Sequence, residues 1–333
     1  MKIATSLALL AGLALLGWLL SQTDLAAAAR LVTHIGWGGA AAVIVVFAAG
    51  FAVEVGAFAL IFVRRTLSAA WFRDLWLVNM LGEALNVVMP FGALGGEPFK
   101  AVLLKRHYRV PFVESASALV LMQTLLSLME ALFALIGVIL AVRAHLLPTG
   151  IETAMTSAAV VFSLLLALAL LAIHMRWLAS LLRWLETSRW GGRLTRVIAG
   201  LNDLEHRMFT FVRRHPARFG ASLFLFFLNW LAGAVEVWLI LHLLGSPLPF
   251  LQCWVIEAAV ALTGSATVFI PANLGSFEAV TVFVTAAFTG SPEIGLALAL
   301  VRRARQLFWS GLGLAAGGWY NLRQPAEAPA SPD

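Results

Sequence analysis

The chain alternates long apolar runs with short polar and basic segments along nearly its whole length. Because a helix needs about 20 apolar residues to cross a bilayer, such runs predict membrane-spanning helices. The seventh run is short for a full crossing and follows a break of Pro and Gly residues. The pattern predicts an all-α, polytopic transmembrane bundle of about eight spans, at residues 4–20, 38–63, 116–142, 153–173, 219–244, 253–270, 279–288 and 294–319.

Composition supports this assignment and narrows the function classes. Hydrophobic residues make up 61% of the 333 positions and charged residues only 12%, which is outside the range of soluble domains. Residues 1–324 are therefore expected to form one integral membrane domain, followed by a disordered Pro- and Ala-rich tail at 325–333. The single cysteine, Cys253, excludes an internal disulfide, and the seven His residues have no metal-ligand spacing. We expect no cofactor and no enzymatic activity.

The distribution of Lys and Arg predicts the orientation. Of the 23 basic residues, 18 fall on one side of the predicted spans and two, Arg30 and Arg143, on the other. By the positive-inside rule both termini are cytoplasmic and the protein belongs in the bacterial inner membrane. Alternatively, the first segment is a cleaved signal peptide.

The longest basic stretch, residues 176–218, places Trp, Leu and Arg at helical spacing. This spacing is typical of an amphipathic helix pair on the cytoplasmic leaflet, and a solvated connector is the alternative. Because the basic residues flank membrane segments, anionic lipid headgroups are the expected partners, and nucleic acid is not.

Two Pro- and Gly-rich breaks, residues 90–97 and 271–278, interrupt apolar chain, and each ends in a Glu seven positions after its Pro. Broken helices at membrane depth usually line a site or cavity, because lipid offers the backbone no hydrogen-bond partners. The breaks predict two re-entrant hairpins and an internal repeat. Counting crossings places both on the cytoplasmic side, whereas an inverted repeat places them on opposite sides, and the sequence leaves this open.

Each break carries candidate binding residues. A helix that begins near Gly96 presents free N–H groups to an anion, with Lys100 on the same element and Glu97 near the turn. In the second break Asn273 and Gly275 form the turn, Ser276 caps the next helix and Glu278 lies in its first turn. The alternative is that both glutamates only cap helices.

The last apolar segment contains the cluster Arg302, Arg303, Arg305 and Gln306. Helical spacing puts residues 302, 305, 306 and 309 on one face, which we expect to point into the protein because lipid-exposed arginines are costly. The arginines are predicted to pair with Glu97 or Glu278, or to bind a lipid phosphate; a purely structural ion pair is the alternative. The other membrane acids are each interpreted singly as neutral and hydrogen bonded: Glu54, Glu83, Glu130, Glu236 and Glu257. The alternative is a proton or sodium pathway, which requires several of them on a common cavity.

At these residues the chain resembles the lysylphosphatidylglycerol synthase transmembrane region, a family of flippase-like membrane proteins. The matching residues are Asn86, Pro90, Gly95, Gly96, Glu97, Pro98, Lys100 and residues 103–106, then residues 270–271, 274–275 and 277–278. Residues 297–305 also resemble the subgroup associated with hopanoid biosynthesis. The resemblance implies a membrane protein that moves lipids between leaflets. Relatives often carry a soluble aminoacyl-transferase domain; none follows here, so lysyl transfer is not expected.

The leading hypothesis is thus a lipid translocase that binds an anionic or polyol headgroup, with phospholipids or hopanoid-type lipids as partners. Alternatives are a membrane scaffold that docks lipid-biosynthetic enzymes, and a lipid-modifying enzyme that uses Glu97. The predicted headgroup-binding residues are Asn86, Gly95, Gly96, Glu97, Lys100, Asn273, Gly275, Ser276, Glu278, Arg302, Arg303, Arg305 and Gln306.

Overall fold

The computed structural model describes residues 16–88, 96–174, 210–268 and 270–323, and this part of the chain contains helices and no strand. A short 3-10 turn, Pro271–Asn273, lies in the second predicted break. The predicted all-α class is confirmed. The helices are α1 (Leu25–His34), α2 (Gly36–Ile61), α3 (Ala69–Val88), α4 (Glu97–Tyr108), α5 (Phe112–Arg143), α6 (Thr149–His174), α7 (Pro216–Leu243), α8 (Phe250–Ala266), α9 (Ser276–Thr289) and α10 (Pro292–Arg323).

The described helices include four that are long and apolar enough to cross a membrane: α2, α5, α7 and residues Thr149–Leu168 of α6. In contrast, α8 and α9 are apolar but only 17 and 14 residues long. At 1.5 Å per residue they are shorter than a hydrocarbon core of about 30 Å. The predicted membrane bundle is confirmed, whereas the count of eight crossings stays a prediction.

The centre of the bundle is the antiparallel pair α2 and α7. Their backbones approach closely at Gly50, where an added Cβ would lie 3.1 Å from the Cβ of Ala232. Nearer the end of α2, the buried Ser222 hydroxyl donates to the carbonyl of Ala57 at 3.2 Å. Small and hydroxylated residues at such contacts are typical of helix packing in membranes. This pair defines two ends of the bundle, the Ile61 end (Ile61 and Pro216) and the Gly36 end (Gly36 and Leu243).

The helices α3 and α4 form a first hairpin that opens at the Ile61 end. There the ring of Trp71 packs edge-on against Phe62, with 5.3 Å between centroids, and against Tyr108 at 6.2 Å. At the other end of the hairpin, the Gly96 N–H donates to Asn86 Oδ1 at 2.6 Å. The end of α3 and the start of α4 therefore lie side by side inside the bundle. Residues 89–95 of the first break, which include Gly95, fall outside the described part.

The helices α8 and α9 form a second hairpin, whose break runs from Thr267 to Gly275. Ala272, Asn273 and Gly275 have φ of 53°, 50° and 82°, so the chain turns through left-handed conformations here. The prediction that Ser276 caps α9 is wrong. Gly275 is the N-cap and its N–H donates to Glu278 Oε2 at 2.8 Å, while the Ser276 hydroxyl donates to the carbonyl of Asn273 at 3.0 Å.

The two hairpins enter the bundle from opposite ends. The first follows the Ile61 end of α2, and the second follows the Gly36 end of α7. A long helix, a hairpin and a second long helix thus occur twice, as α2 to α5 and as α7 to α10, in opposite directions. This is the arrangement of an inverted repeat. The crossing count placed the second break at the cytoplasmic surface because it treated α8 and α9 as full spans.

Candidate functional site

A cavity of about 330 Å³ lies between the end of α3 and the second break. Asn86 and Val87 of the first hairpin and Ala272 and Asn273 of the second line it together. Its volume is within the range of small-ligand pockets, about 300–1,000 Å³. The remaining wall comes from α2, α3, α7, α8 and α10, and its charged and amide side chains are Glu54, Glu83, Asn229, Glu236, Glu257, Arg302, Arg305 and Gln306.

Two arginines of α10 are held in the wall by bidentate ion pairs. Arg302 donates from Nη1 and Nη2 to Glu257 of α8 at 2.8 and 3.0 Å. Arg305 donates from Nε and Nη2 to Glu236 of α7 at 2.9 and 3.2 Å. Paired, planar hydrogen bonds fix both the distance and the orientation of the partners. They lock α7, α8 and α10 together around the cavity.

Arg303 points away from this face and ties the second hairpin to α10. Its Nε donates to Glu278 Oε1 at 2.6 Å and its Nη1 to Gln306 Oε1 at 2.6 Å. Its Nη2 lies 3.4 Å from the carbonyl of Asn273, in the break itself. Glu278 therefore caps α9 and also anchors the tip of the second hairpin to α10.

The first hairpin has its own ion pair behind the cavity. Lys100 is almost fully buried, and its Nζ lies 2.8 Å from Glu97 Oε1, one turn earlier in α4. Its aliphatic chain packs on Gly82 of α3, where an added Cβ would lie 2.2 Å from Lys100 Cε. Of the two partners predicted for the arginine cluster, Glu278 does pair with Arg303, whereas Glu97 pairs with Lys100 instead.

Aromatic rings lie against the arginines. The guanidinium carbon of Arg305 lies 3.8 Å from the centroid of Phe47 on α2. Arg302 and Arg303 lie 5.4 and 5.0 Å from the ring of Phe277. The ring faces carry partial negative charge, so these contacts stabilise cations inside the bundle.

The structure brings part of the predicted site together. The predicted face of α10 does line the cavity, through Arg302, Arg305, Gln306 and Trp309. Asn86 and Asn273 line it as well. The other predicted residues stand behind the wall or beside it: Gly96, Glu97, Lys100, Gly275, Ser276, Glu278 and Arg303.

The interpretation of the membrane acids as neutral, hydrogen-bonded groups is wrong for two of the five, because Glu236 and Glu257 form ion pairs with Arg305 and Arg302. Glu54, Glu83, Glu236 and Glu257 share the cavity, and Glu130 is hydrogen bonded by Ser265 at 2.5 Å. The spacing of polar residues in the sequence contained a signal for this shared cavity. Polar residues recur at whole helical turns within apolar helices, as at Asn229 and Glu236 of α7.

A family model described as lysylphosphatidylglycerol synthase TM region matches residues 3–313, nearly the whole chain. The chain belongs to this family. Membership in the lysylphosphatidylglycerol synthase TM-region family indicates a membrane protein with a lipid-related function, in agreement with the described helices. Comparison with curated proteins and with solved structures gave no match. Among the described residues no group of three or more His, Cys, Asp or Glu could hold a metal ion.

Proposed function

We propose that this protein is a lipid translocase of the bacterial inner membrane that binds a lipid headgroup in the cavity between the two hairpin tips. The observation that carries this proposal is the meeting of two broken-helix hairpins, which enter from opposite ends, at one polar cavity. Broken helices at a repeat interface are the usual binding-site architecture of secondary transporters. A headgroup there would exchange its hydration for the amides and ion pairs of the wall, while its acyl chains stay in lipid.

The hairpins are suited to act as two gates. Each would close the cavity toward one end of the bundle. The second is held to α10 by the ion pair Arg303–Glu278, whereas in the first the buried Lys100 of α4 packs on Gly82 of α3. Opening one gate at a time would expose the headgroup to one leaflet and then to the other. By the positive-inside rule the Ile61 end is cytoplasmic, so the first hairpin gates the inner leaflet. The chain has no nucleotide-binding fingerprint, so a gradient or a partner must supply any driving force.

The test is lipid movement in reconstituted vesicles with a blocked cavity. Fluorescent phosphatidylglycerol, phosphatidylethanolamine and a hopanoid-type lipid are placed in vesicles, and a membrane-impermeant quencher reports the outer leaflet. Val46→Trp fills the cavity, which Val46 lines. We expect the wild type to move at least one of these lipids and Val46→Trp to slow that movement by about tenfold or more, since excluding the headgroup costs at least about 1.4 kcal/mol of binding.

The matched control is Val45→Trp on the same helix, where the side chain is 65% exposed and points away from the cavity. It should move lipid at the wild-type rate. If the wild type moves none of the three lipids, or if both Trp variants retain the wild-type rate, the translocase proposal fails. The scaffold hypothesis, in which the protein presents lipid intermediates to biosynthetic enzymes, then takes its place.

A further inference from the structure

The charges around the cavity do not balance. Four described basic side chains of the core balance four carboxylates: Lys100 pairs with Glu97, Arg302 with Glu257, Arg303 with Glu278 and Arg305 with Glu236, and Arg302 Nε also lies 3.7 Å from Glu236. Two cavity carboxylates, Glu54 and Glu83, are left over. Residues 89–95, between α3 and α4 in the sequence, include no charged residue.

The two remaining carboxylates lie in one electrostatic neighbourhood. Glu83 of α3 is repelled by Glu54 of α2 and by Glu97 of α4, and it is attracted by Lys100 of α4 and Arg305 of α10. From α7, Asn229 donates a hydrogen bond to Glu54 at 3.2 Å. Since Lys100 and Arg305 already have partners, two full negative charges in this water-poor site are strongly unfavourable.

An independent observation lies one helical turn away on α3. Asn79 is completely buried, and neither its Nδ2 nor its Oδ1 has a hydrogen-bond partner among the described residues. Asn79, Glu83 and Asn86 are spaced by four and three positions, so they form one polar stripe along α3. Buried amides without a protein partner are normally satisfied by water. The stripe leads from the cavity toward the Ile61 end.

We propose that Glu54 and Glu83 form an exchangeable proton site that couples a proton gradient to lipid movement. The proposal rests on the translocase function above. A proton enters from water on one side, binds a carboxylate oxygen of the pair and leaves to the other side, so no other bond forms or breaks. A water molecule hydrogen bonded to the Asn79 amide would relay the proton between the pair and the Ile61 end.

The carboxylates Glu54 and Glu83 are connected to the first hairpin, α3 and α4, through Lys100. Its ammonium is attracted by Glu83 and Glu54 as well as by its partner Glu97. Release of the proton adds a negative charge beside Lys100, which draws the ammonium away from Glu97. Because Glu83 lies on α3 and Glu54 on α2, this attraction strengthens the contact of α4 with its neighbouring helices. Proton release thus favours the closed first hairpin, and proton binding favours its opening.

Two measurements test the proposal, with Glu54→Gln, Glu83→Gln and the control Glu130→Gln. The control removes a buried carboxyl that lies on α5 and accepts from Ser265, outside the cavity. First, infrared difference spectra between acidic and alkaline buffer should contain a protonated-carboxyl band that weakens in each cavity variant and survives in Glu130→Gln. Because this measurement does not require lipid movement, it tests the proton site independently of the translocase function.

Second, a gradient of one pH unit is imposed on vesicles of phosphatidylethanolamine and phosphatidylglycerol that contain the fluorescent lipid. One coupled proton per lipid shifts the steady-state ratio of probe between leaflets by up to about tenfold per pH unit. Wild type and Glu130→Gln should show this shift, and Glu54→Gln and Glu83→Gln should not. The proposal is overturned if the infrared band is absent. It is also overturned if the wild type moves the fluorescent lipid but the ratio of probe between the leaflets does not change with the pH gradient. Failure of the wild type to move lipid at all overturns the translocase function instead.

Discussion

Replacing Arg302 with alanine is expected to destabilise the folded protein by about 3–5 kcal/mol. The side chain is 7% exposed and makes a bidentate pair with Glu257, while its Nε lies 3.7 Å from Glu236. Truncation leaves the Glu257 carboxylate buried without its partner, and desolvation of an unpaired charge is the largest cost of such a change. Unfolding of the purified protein in micelles, by denaturant or by heat, measures the loss.

A double-mutant cycle separates the pair from the rest of the side chain. Arg302→Met together with Glu257→Leu removes both charges, so the double variant should lose about 1–3 kcal/mol less than the two single variants summed. Arg73→Ala serves as the surface control, because Arg73 pairs with Asp74 with its side chain 72% exposed. It should change stability by no more than about 0.5 kcal/mol. If the losses of unfolding free energy in Arg302→Met and Glu257→Leu simply add up in the double variant, the ion pair does not hold α8 to α10.

The second large effect is expected at the closed end of the first hairpin, where α4 begins. An added Cβ at Gly96 would lie 2.0 Å from the carbonyl oxygen of Gly82 and 2.9 Å from Asn86 Oδ1. The first of these is backbone, so no rotamer change relieves the clash. Gly96→Ala should therefore cost about 3 kcal/mol, the upper end for overpacking, and should spread α3 from α4. We expect lipid movement to be lost even in the fraction that remains folded.

Gly311→Ala is the matched control for this substitution. It lies in α10, where an added Cβ has no atom within 4 Å. An alanine there should leave lipid movement unchanged and stabilise the helix by up to about 1 kcal/mol. If Gly96→Ala is as stable and as active as Gly311→Ala, the close packing of the first hairpin is not needed for function.

Local pattern was enough to predict the helical class, the two breaks and the inward face of α10. The runs before and after residues 90–97 became α3 and α4, and spacing alone placed 302, 305, 306 and 309 on one face. These features depend on neighbouring residues, which the sequence displays directly. The predictions for residues 175–209, Gly95 and the tail at 325–333 concern parts of the chain outside the described residues.

The partners of the arginines could not be predicted in the same way. Arg302 reaches Glu257 across 45 positions and Arg305 reaches Glu236 across 69, so both pairs depend on how α7, α8 and α10 pack. The depth of the second break in the bundle could not be predicted from the sequence either. A crossing count assumes full spans, whereas α8 and α9 are too short and turn back inside the bundle. The partners of the arginines and the depth of the second break are both determined by tertiary packing, which local spacing in the sequence does not reveal.

The most direct test of the account is to locate a lipid headgroup in the protein. Phosphatidylglycerol with a photoreactive group on its headgroup is reconstituted with the wild type and with Val46→Trp, and the adducts are mapped by mass spectrometry after irradiation. The account predicts adducts in the middle of the bundle, within residues 46–54, 229–236 and 302–310, which are lost in Val46→Trp. Adducts confined to the helix ends, and equal in the two proteins, would contradict a headgroup site between the hairpins.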